Sequence, residues 1–514
     1  MTFMINNNYK NWITGPAIGT GYIKVTSILF LLLCSPFFVD AVTISPHKYN
    51  RSYISLSPEN PYFLFILLFG VLIAIGSFFK PKFGLVVMLF FMMVSTDMPM
   101  GKSETTGRAT TIRVEDIVLL LVSGGWLLNC AKTRSLSILK SVPINKGIVV
   151  MALAIVFATF IGYLQGTDTL GGILFAMKRL EYFWIFFMTL NIMDDYKEVR
   201  LAVKILLYVS IVVAFIGLGQ SLIFSVAEME SGATATAGVC RANILADFLL
   251  IVLGLSLGLL LFVKEKSFSA LCVIGFAVFL FAIIMTKSRG AYVSIPPMLF
   301  LAYLISRSRK IVLLSFVILF FGGVYFASTM ITDYRAEFVI KENRNDIKNQ
   351  FTSIGDVVTK GAQADSSYNA RYMAWVSLMP EMLNYPVFGH GVGSMFLGTL
   401  DNQYFQELYE TGIVGLISFL YMNLVIFICV FKLYLTTRDS FSKGLALGFL
   451  SAQIGILFHG VTITNFYTII NMEAFWFILA LVMILYHNEK TAIKTAETKS
   501  ILQTGENIDA KYIA

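Results

Sequence analysis

The residue types and spacing most suggestive of chemistry in this sequence occur at Asp401 and Asn402, which follow a glycine-rich stretch and precede an apolar run. Asp401, Tyr404, Phe405 and Leu408 would share one face of a helix. Asp401 could be the N-cap of that helix, because aspartate is among the commonest N-cap residues. It could also act as a general base, with the Asn402 amide binding hydroxyl groups. One residue can serve both roles, so both interpretations stay open.

The segment before this pair carries a second set of signals. Arg371, Tyr372 and Trp375 lie at helical spacing ahead of Pro380. The turn-forming residues that follow are Pro386, Gly389, Gly391 and Gly393. They predict a tight turn at which the backbone can approach a ligand closely. His390 lies within this turn and is an alternative base, although a histidine here is more often an ordinary loop residue.

Basic side chains in or beside apolar runs form the third cluster. The residues concerned are Lys178, Arg179, Arg241, Lys287 and Arg289. Such charges are costly in hydrocarbon unless they meet an anionic partner, and guanidinium groups bind phosphate oxygens in a bidentate manner. A pyrophosphate would therefore suit them. Two plainer interpretations remain: Arg241 and Arg289 can extend to lipid headgroups, and the 178–179 pair can form a packing ion pair with Glu181.

The elements that must position these residues are membrane helices. The 514 residues are 57% hydrophobic and only 14% charged, and the mean hydropathy is +0.75. These values lie outside the range of soluble domains. The apolar runs are about 17 to 25 residues long, which suits a hydrocarbon layer of roughly 30 Å, and alternating β-barrel patterning is absent. The predicted fold class is all-α, a polytopic integral membrane protein, which excludes a soluble enzyme.

Hydropathy predicts about fourteen transmembrane helices. They lie near 22–44, 61–79, 83–100, 116–131, 147–164, 171–193, 201–223, 242–263, 269–286, 290–306, 311–328, 411–434, 444–462 and 466–487. Alternating loops are rich in lysine and arginine, so the positive-inside rule places both termini in the cytoplasm. The net charge of +8 suits anionic headgroups and is no evidence for nucleic-acid binding. The stretch around Ile28–Ala41 could be a signal-peptide core, but the polar leader 1–21 favours a retained first helix.

These spans divide the chain into five parts. Residues 1–240 hold about seven N-terminal helices, 241–328 a transmembrane core with arginine-bearing outer ends, 329–410 a large outer loop, 411–487 the C-terminal helices and 488–514 a cytoplasmic tail. The outer loop should contain amphipathic helices, the first at 335–350, and it carries Asp401 and the tight turn.

Metal and disulfide chemistry are not expected. Only Cys240 of the five cysteines sits in an outer loop, and the four histidines lack ligand spacing. His459, next to Gly460 in a predicted span, should be a hydrogen-bonded packing residue. No metal and no cofactor are predicted.

The order of these features resembles the bacterial O-antigen polymerase and O-antigen ligase superfamily of lipid-linked glycan transferases. The shared features are TKSRGAYVS at the start of a span, a long outer loop, the Arg371–Trp375 spacing, the P-x-x-G-x-G run from Pro386, and DNQYFQELYETGIVGL leading into a span. The resemblance covers about 240–430 well, and the first half of the chain only through its helix count.

The resemblance implies a reaction at the outer face of the bacterial inner membrane. An oligosaccharide would leave its polyprenyl pyrophosphate carrier and join an acceptor hydroxyl, without nucleotide sugar or ATP. Arginines would hold the pyrophosphate while a base deprotonates the acceptor. The catalytic residues so implied are Asp401, Arg289 and Arg371. The substrate-binding residues are Arg241, Lys287, Asn402, Tyr404, Gly389, Gly391, His390, Lys178 and Arg179.

One departure from the ligase pattern bears on the acceptor. Ligases that resemble this chain usually place a histidine where Asp401 stands, so the sequence favours a polymerase of O-antigen, capsule or exopolysaccharide repeat units. A ligase that transfers glycan to lipid A core is the alternative. A transporter or flippase is less favoured because no inverted repeat is visible, and a non-catalytic scaffold would not need converging charges. The expected partners are lipid-linked oligosaccharide, membrane lipid, a chain-length regulator and a repeat-unit flippase, and no nucleic acid.

Overall fold

The long apolar runs fold into helices, because a helix satisfies its backbone hydrogen bonds within one segment. The computed structural model describes residues 63–94, 97–102, 109–133, 140–166, 169–223, 242–286, 288–308, 310–311, 366–395 and 400–512. All of them lie in one compact unit, Tyr53–Ala514. The predicted span 22–44 lies outside the described residues, and so does 311–328 beyond its first residue. The predicted amphipathic helix 335–350 also lies outside them, as do Arg241, Lys287 and Cys240.

The described residues form thirteen α-helices. They are α1 Phe63–Phe79, α2 Pro81–Val94, α3 Val114–Thr133, α4 Asn145–Leu164, α5 Thr169–Ile192, α6 Tyr196–Ile223, α7 Ala242–Phe262, α8 Lys266–Met285, α9 Arg289–Ser306, α10 Ser366–Met382, α11 Gln403–Thr436, α12 Ser440–His459 and α13 Ile469–Tyr512. A short 3-10 helix, Asn465–Tyr467, lies between α12 and α13.

Eight of these helices are long and apolar enough to cross a membrane, namely α3, α4, α6, α7, α8, α11, α12 and α13. The helix α5 is not among them, because it carries the charged residues Lys178, Arg179 and Glu181 near its middle. The chain is therefore a helical, polytopic membrane protein by length and composition. The count of fourteen spans and their orientation stay predictions.

One β-hairpin is added to the predicted all-α fold in the described part of the chain. Strand β1, Asp97–Lys102, pairs antiparallel with β2, Ala109–Arg113. The predicted span 83–100 is wrong in its last turns, because α2 already ends at Val94. Proline lacks a backbone N–H and disfavours a helix interior, and Pro99 follows the charged Asp97 in this segment.

Three further boundaries differ from the sequence prediction. Helix α11 begins at Gln403, eight residues before the predicted span 411–434, so the large loop ends sooner than expected. Helix α12 ends at His459, before the predicted boundary at 462. Helix α13 runs on to Tyr512, so no helix end marks the predicted start of the tail at residue 488.

Close contact between α7 and α12 lies at the centre of the packing. A Cβ atom on Gly258 would lie 2.2 Å from the backbone nitrogen of Gly448, so only glycine allows the two backbones to approach this closely. This contact places Asp247 of α7 within reach of His459, the last residue of α12. Helix α13 packs in the same region, and 89% of its most apolar stretch is buried.

Candidate active site

The segment Pro386–Gly393 forms the tight turn that its composition predicted. Gly389, Gly391 and Gly393 all have positive φ values, of 70°, 97° and 77°. Residues with a Cβ atom rarely adopt this conformation. A Cβ atom on Gly391 would also lie 2.6 Å from the Cα of Gly162 in α4. The turn therefore rests directly on the helix bundle.

A break in α11 holds this turn in place. Gly412 has a φ of 65° and interrupts the helix. The next two backbone N–H groups donate outside the helix, from Ile413 to the Pro386 carbonyl at 2.9 Å and from Val414 to the Val387 carbonyl at 3.2 Å. In return, the N–H groups of His390 and Gly391 donate to the Tyr409 and Glu410 carbonyls at 2.9 and 3.0 Å. Four backbone hydrogen bonds thus join the turn to the broken helix.

His390 is held between two tyrosines. Its ring stacks on Tyr409 with centroids 4.4 Å apart and meets Tyr385 edge-on at 5.0 Å. Its Nδ1 lies 3.3 Å from the Tyr409 carbonyl oxygen. A carbonyl only accepts, so Nδ1 carries the proton in this contact. The ring is half-buried, and the role of His390 as an alternative base stays a proposal.

Arg371 and Asp401 form an ion pair. Arg371 Nε lies 3.2 Å from Asp401 Oδ2, and the two side chains are 23% and 36% exposed. Trp375, one turn along α10 from Arg371, donates from Nε1 to the Leu400 carbonyl at 2.9 Å and stacks on Phe405 at 5.4 Å. The R-x-x-x-W motif therefore holds the residues on both sides of Asp401.

The N-cap prediction for Asp401 is wrong, because Asn402 caps α11. Its Oδ1 accepts from the backbone N–H groups of Tyr404 and Phe405 at 3.0 and 3.1 Å. Asp401 has a φ of 48° and lies outside the helix, so it does not share a helical face with the residues after it. The Asn402 Nδ2 donates to the Val461 carbonyl at 3.0 Å, which anchors the cap to the segment after α12. These contacts give Asn402 a structural role.

The segment after α12 also contacts the start of α9. A Cβ atom on Gly290 would lie 2.1 Å from Thr462 Oγ1 and 2.7 Å from His459 Cδ2. Arg289, half-buried, is the first residue of α9 and precedes this glycine. Residues 459–462 therefore touch the neighbours of both Arg289 and Asp401.

The other substrate-binding candidates have protein partners. Tyr404 donates from its hydroxyl to the Leu457 carbonyl at 2.7 Å. Lys178 pairs with Asp116 and lies 3.2 Å from Glu181. Arg179 points elsewhere and pairs with Glu410, and its guanidinium lies 3.6 Å from the centroid of the Tyr467 ring. The predicted ion pair with Glu181 therefore fits Lys178. Arg179 does not join it and pairs with Glu410 instead.

Arg179 pairs with one residue of a buried polar stripe on α11, and this stripe was not predicted from the sequence. Its members are Gln403, Gln406, Glu407 and Glu410, all at most 2% exposed. Gln406 Nε2 donates to Glu410 Oε1 at 2.6 Å, and Gln403 Nε2 donates to Glu407 Oε1 at 3.2 Å. The i, i+3, i+4 and i+7 spacing in QYFQELYE was the available signal.

Tyr467 closes the other side of this buried network. A cavity of about 30 Å³ is lined by Arg179, Glu407 and Tyr467 together with apolar side chains, and it is large enough to hold a water molecule. Burial raises the pKa of the Tyr467 hydroxyl well above its usual value near 10, and the nearby Glu407 and Glu410 act in the same direction against the effect of Arg179. The hydroxyl therefore stays protonated and keeps its capacity to donate.

A second buried cluster surrounds His459. Its Nδ1 lies 2.5 Å from Asp247 Oδ1, and its Nε2 lies 3.3 Å from the Ser288 hydroxyl. The predicted hydrogen-bonded packing role of His459 fits these contacts. Asp247 was not predicted as a functional residue, although a single carboxylate in an apolar run is a recognised signal. Among the described residues, no group of three or more histidines, cysteines or carboxylates is placed to hold a metal ion.

The comparison with known families concerns this same region. Residues 274–420 match the family model described as O-antigen ligase. No curated protein matches the chain. The matched segment contains α9, α10, the Pro386–Gly393 turn, Asp401 and the break in α11. The predicted resemblance to the O-antigen polymerase and ligase superfamily is therefore confirmed, on the segment that carries the motifs.

Proposed function

We propose that this protein is a glycosyltransferase of the bacterial inner membrane that polymerises polyprenyl-pyrophosphate-linked oligosaccharide repeat units. The hydroxyl oxygen of an acceptor sugar attacks the anomeric carbon of the donor glycan. The anomeric C–O bond to the carrier breaks, and polyprenyl pyrophosphate leaves with the bonding electrons. The acceptor's proton passes to Asp401. The product is an O-antigen, capsule or exopolysaccharide chain on the outer face of the membrane.

The observation that carries this proposal is the half-exposed ion pair between Arg371 and Asp401. A general base must be reachable by substrate and must be held in one orientation. Asp401 meets both conditions, because it lies outside α11, retains 36% exposure and contacts Arg371 Nε. The buried glycine turn supports the site from the protein side, because it fixes α11 through four backbone hydrogen bonds.

The pyrophosphate would lie near Arg289. Arg289 begins α9, and the N-terminal end of a helix favours negative charge. The segment 459–462 contacts Gly290 on one side and Asn402 on the other. This shared contact supports a common site in which Arg289 offsets charge on the leaving group and Asp401 faces the acceptor. Arg241 and Lys287 would add positive charge, as the sequence predicts.

Arg179 and Lys178 take a supporting part in this proposal. Arg179 is 7% exposed and is engaged with Glu410, so its role is to fix α5 against α11 rather than to meet substrate. Lys178 has the same kind of role through Asp116. These pairings also disfavour the transporter alternative, in which the two cations would line a pathway.

A ligase that transfers the glycan to lipid A core is the second candidate, favoured by the description of the matching family model. The two activities differ in their acceptor. The aspartate at position 401 favours the polymerase, in which the acceptor is another carrier-linked repeat unit. A repeat-unit flippase would supply the substrate, and a chain-length regulator would act on the product.

The test is a reconstitution with defined acceptors. Purified protein in lipid vesicles would receive a synthetic polyprenyl-pyrophosphate-linked repeat unit, alone or with lipid A core, and products would be separated by gel and mass spectrometry. Ladders of repeat units and free polyprenyl pyrophosphate without lipid A core would support the polymerase. Product formed only with lipid A core would support the ligase. Vesicles that move intact substrate across the bilayer without cleaving it would contradict both.

A further inference from the structure

Ser288 occupies the N-cap position of α9, but its hydroxyl does not cap that helix. Serine at this position usually accepts a hydrogen bond from a backbone N–H of its own first turn. Here the Ser288 Oγ instead lies 3.3 Å from His459 Nε2, across the contact between α9 and α12. The Ser288 hydroxyl therefore contacts the buried imidazole of His459 and does not contact a backbone N–H group of α9.

The imidazole is fixed from its other side by a carboxylate. His459 Nδ1 lies 2.5 Å from Asp247 Oδ1. Asp247 Oδ1 also accepts from Asn465 Nδ2 at 3.2 Å, and Oδ2 accepts from Asn471 Nδ2 at 3.3 Å. The Nδ1–H group of His459 donates to this carboxylate, and its Nε2 shares a hydrogen bond with the Ser288 hydroxyl. The three groups form one oriented chain from α7 through α12 to the start of α9.

This arrangement has the contacts of a serine–histidine–aspartate triad but not its accessibility. Ser288, His459 and Asp247 are 3%, 1% and 0% exposed. A nucleophilic serine must present its oxygen to substrate, which a 3% exposed residue inside a helix contact does not do. The three hydrogen-bonded groups are therefore suited to holding a neighbouring residue in place. The neighbour of Ser288 along the backbone is Arg289.

We infer that Asp247 and His459 are positioning residues, which act through the Ser288 hydroxyl to fix Arg289 for a pyrophosphate group. This inference rests on the proposed function. Gly290 strengthens it, because a Cβ atom there would lie 2.9 Å from His459 Nε2 and would force apart the residues that the hydrogen bond joins. Arg289 thus lies between a serine bound to His459 and a glycine packed on the same ring.

A double-mutant cycle tests the inference. Ser288→Ala removes the hydroxyl without removing a helix cap. His459→Asn keeps an amide donor for Asp247 but loses the Nε2 partner of Ser288. Each variant should weaken binding of glycan-free polyprenyl pyrophosphate by roughly three- to tenfold, the range expected from one lost hydrogen bond. The affinity of the double variant for polyprenyl pyrophosphate should equal that of the single variant with the lower affinity. Both substitutions remove the same hydrogen bond, the one between Ser288 and His459.

Gln453→Leu provides the matched control. Gln453 lies on α12 like His459, is 0% exposed, and donates to the Asn423 carbonyl at 2.9 Å. It has the same kind of buried contact between helices, away from Ser288. The control should lower the thermal unfolding midpoint as His459→Asn does and leave carrier binding unchanged. A purely packing role for His459 predicts that the control and His459→Asn weaken binding equally.

The readout separates this inference from the proposed function. Carrier binding without glycan transfer by the wild-type protein would contradict the proposed function, and the binding cycle would still test the positioning role. Unchanged binding in folded Ser288→Ala, or additive losses in the double variant, would overturn the inference. A wild-type protein that does not bind polyprenyl pyrophosphate would overturn both.

Discussion

Arg371 Nε and Asp401 Oδ2 lie 3.2 Å apart, although the two residues are separated by 30 positions in the sequence. This contact ties α10 to the residue before the cap of α11. The family resemblance implies that Arg371 is a catalytic residue that assists from the outer loop and that Asp401 is the base. In the structure Arg371 contacts Asp401, so we expect it also to orient the carboxylate that would accept the proton.

Substitutions of Arg371 should affect transfer much more than stability. Arg371→Gln removes the charge and the Nε–H donor, and Arg371→Lys keeps the charge without that planar donor geometry. We expect the rate of glycan transfer to fall at least tenfold in the glutamine variant and by an intermediate amount in the lysine variant. The unfolding midpoint should hardly change, because half-exposed ion pairs contribute about 0–1 kcal/mol. Rates in vesicles and thermal unfolding would be measured side by side.

Arg438→Gln is the control for these substitutions, because Arg438 is an exposed arginine at the junction of α11 and α12. It should leave the transfer rate unchanged. A lysine variant with full activity would show that charge alone is needed at position 371, and would contradict the orienting role.

Gly412→Ala should disrupt the attachment of the Pro386–Gly393 turn. Gly412 has a φ of 65° and a ψ of −167°, a conformation that essentially only glycine adopts, and this backbone strain alone costs an alanine about 1–3 kcal/mol. A Cβ atom would also lie 2.3 Å from the Val387 carbonyl oxygen. We expect a lower unfolding midpoint and reduced transfer. Hydrogen exchange of the backbone amides of Ile413 and Val414 should become faster, because they lose their acceptors in the turn.

Gly124→Ala is the matched substitution, since a Cβ atom on Gly124 in α3 meets nothing within 4 Å. It should be neutral or should stabilise the protein by up to about 1 kcal/mol. Equal effects of the two alanines would contradict the specific role of the break in α11.

Removing Arg179 should be more damaging than removing Glu410. Loss of one partner from a buried ion pair costs about 3–5 kcal/mol. Arg179→Met leaves both Glu407 and Glu410 buried without their cation, whereas Glu410→Gln leaves Arg179 close to Glu407. Unfolding in detergent should therefore begin at a lower temperature for the arginine variant. A larger loss in Glu410→Gln would contradict the view that Arg179 serves both carboxylates.

Much of the fold follows from local patterns in the sequence. Apolar run length located the apolar helices that the structure describes, although α11 begins eight residues before its predicted span and α13 runs on to Tyr512. The β-hairpin after α2 was missed because the hydropathy window extended through Met98 and Met100 despite Pro99. The break at Gly412 was missed because a single glycine in a helical pattern is usually tolerated. Its effect depends on the carbonyl groups of a distant turn.

The site was predictable where function and local pattern coincide. The glycines at 389 and 391 predicted the turn. The spacing of Arg371 and Trp375 predicted that they share a helical face. The partners of Arg179 and His459 were not predictable in the same way, because Glu410 and Asp247 lie 231 and 212 residues from them. Such pairings depend on which helix faces meet, and hydropathy does not specify that. Asn402 took the cap role expected of Asp401 because both residues favour that position.

The measurement that tests the central claim most directly is glycan transfer by the Asp401→Asn variant, together with its affinity for polyprenyl pyrophosphate. Asparagine keeps an oxygen for the hydrogen bond from Arg371 but cannot take up the proton of an acceptor hydroxyl. The account predicts a fall in the transfer rate of about 10²–10⁴-fold, the usual contribution of a general base, with carrier binding unchanged. A variant that transfers glycan at the wild-type rate would contradict the claim that Asp401 is the base.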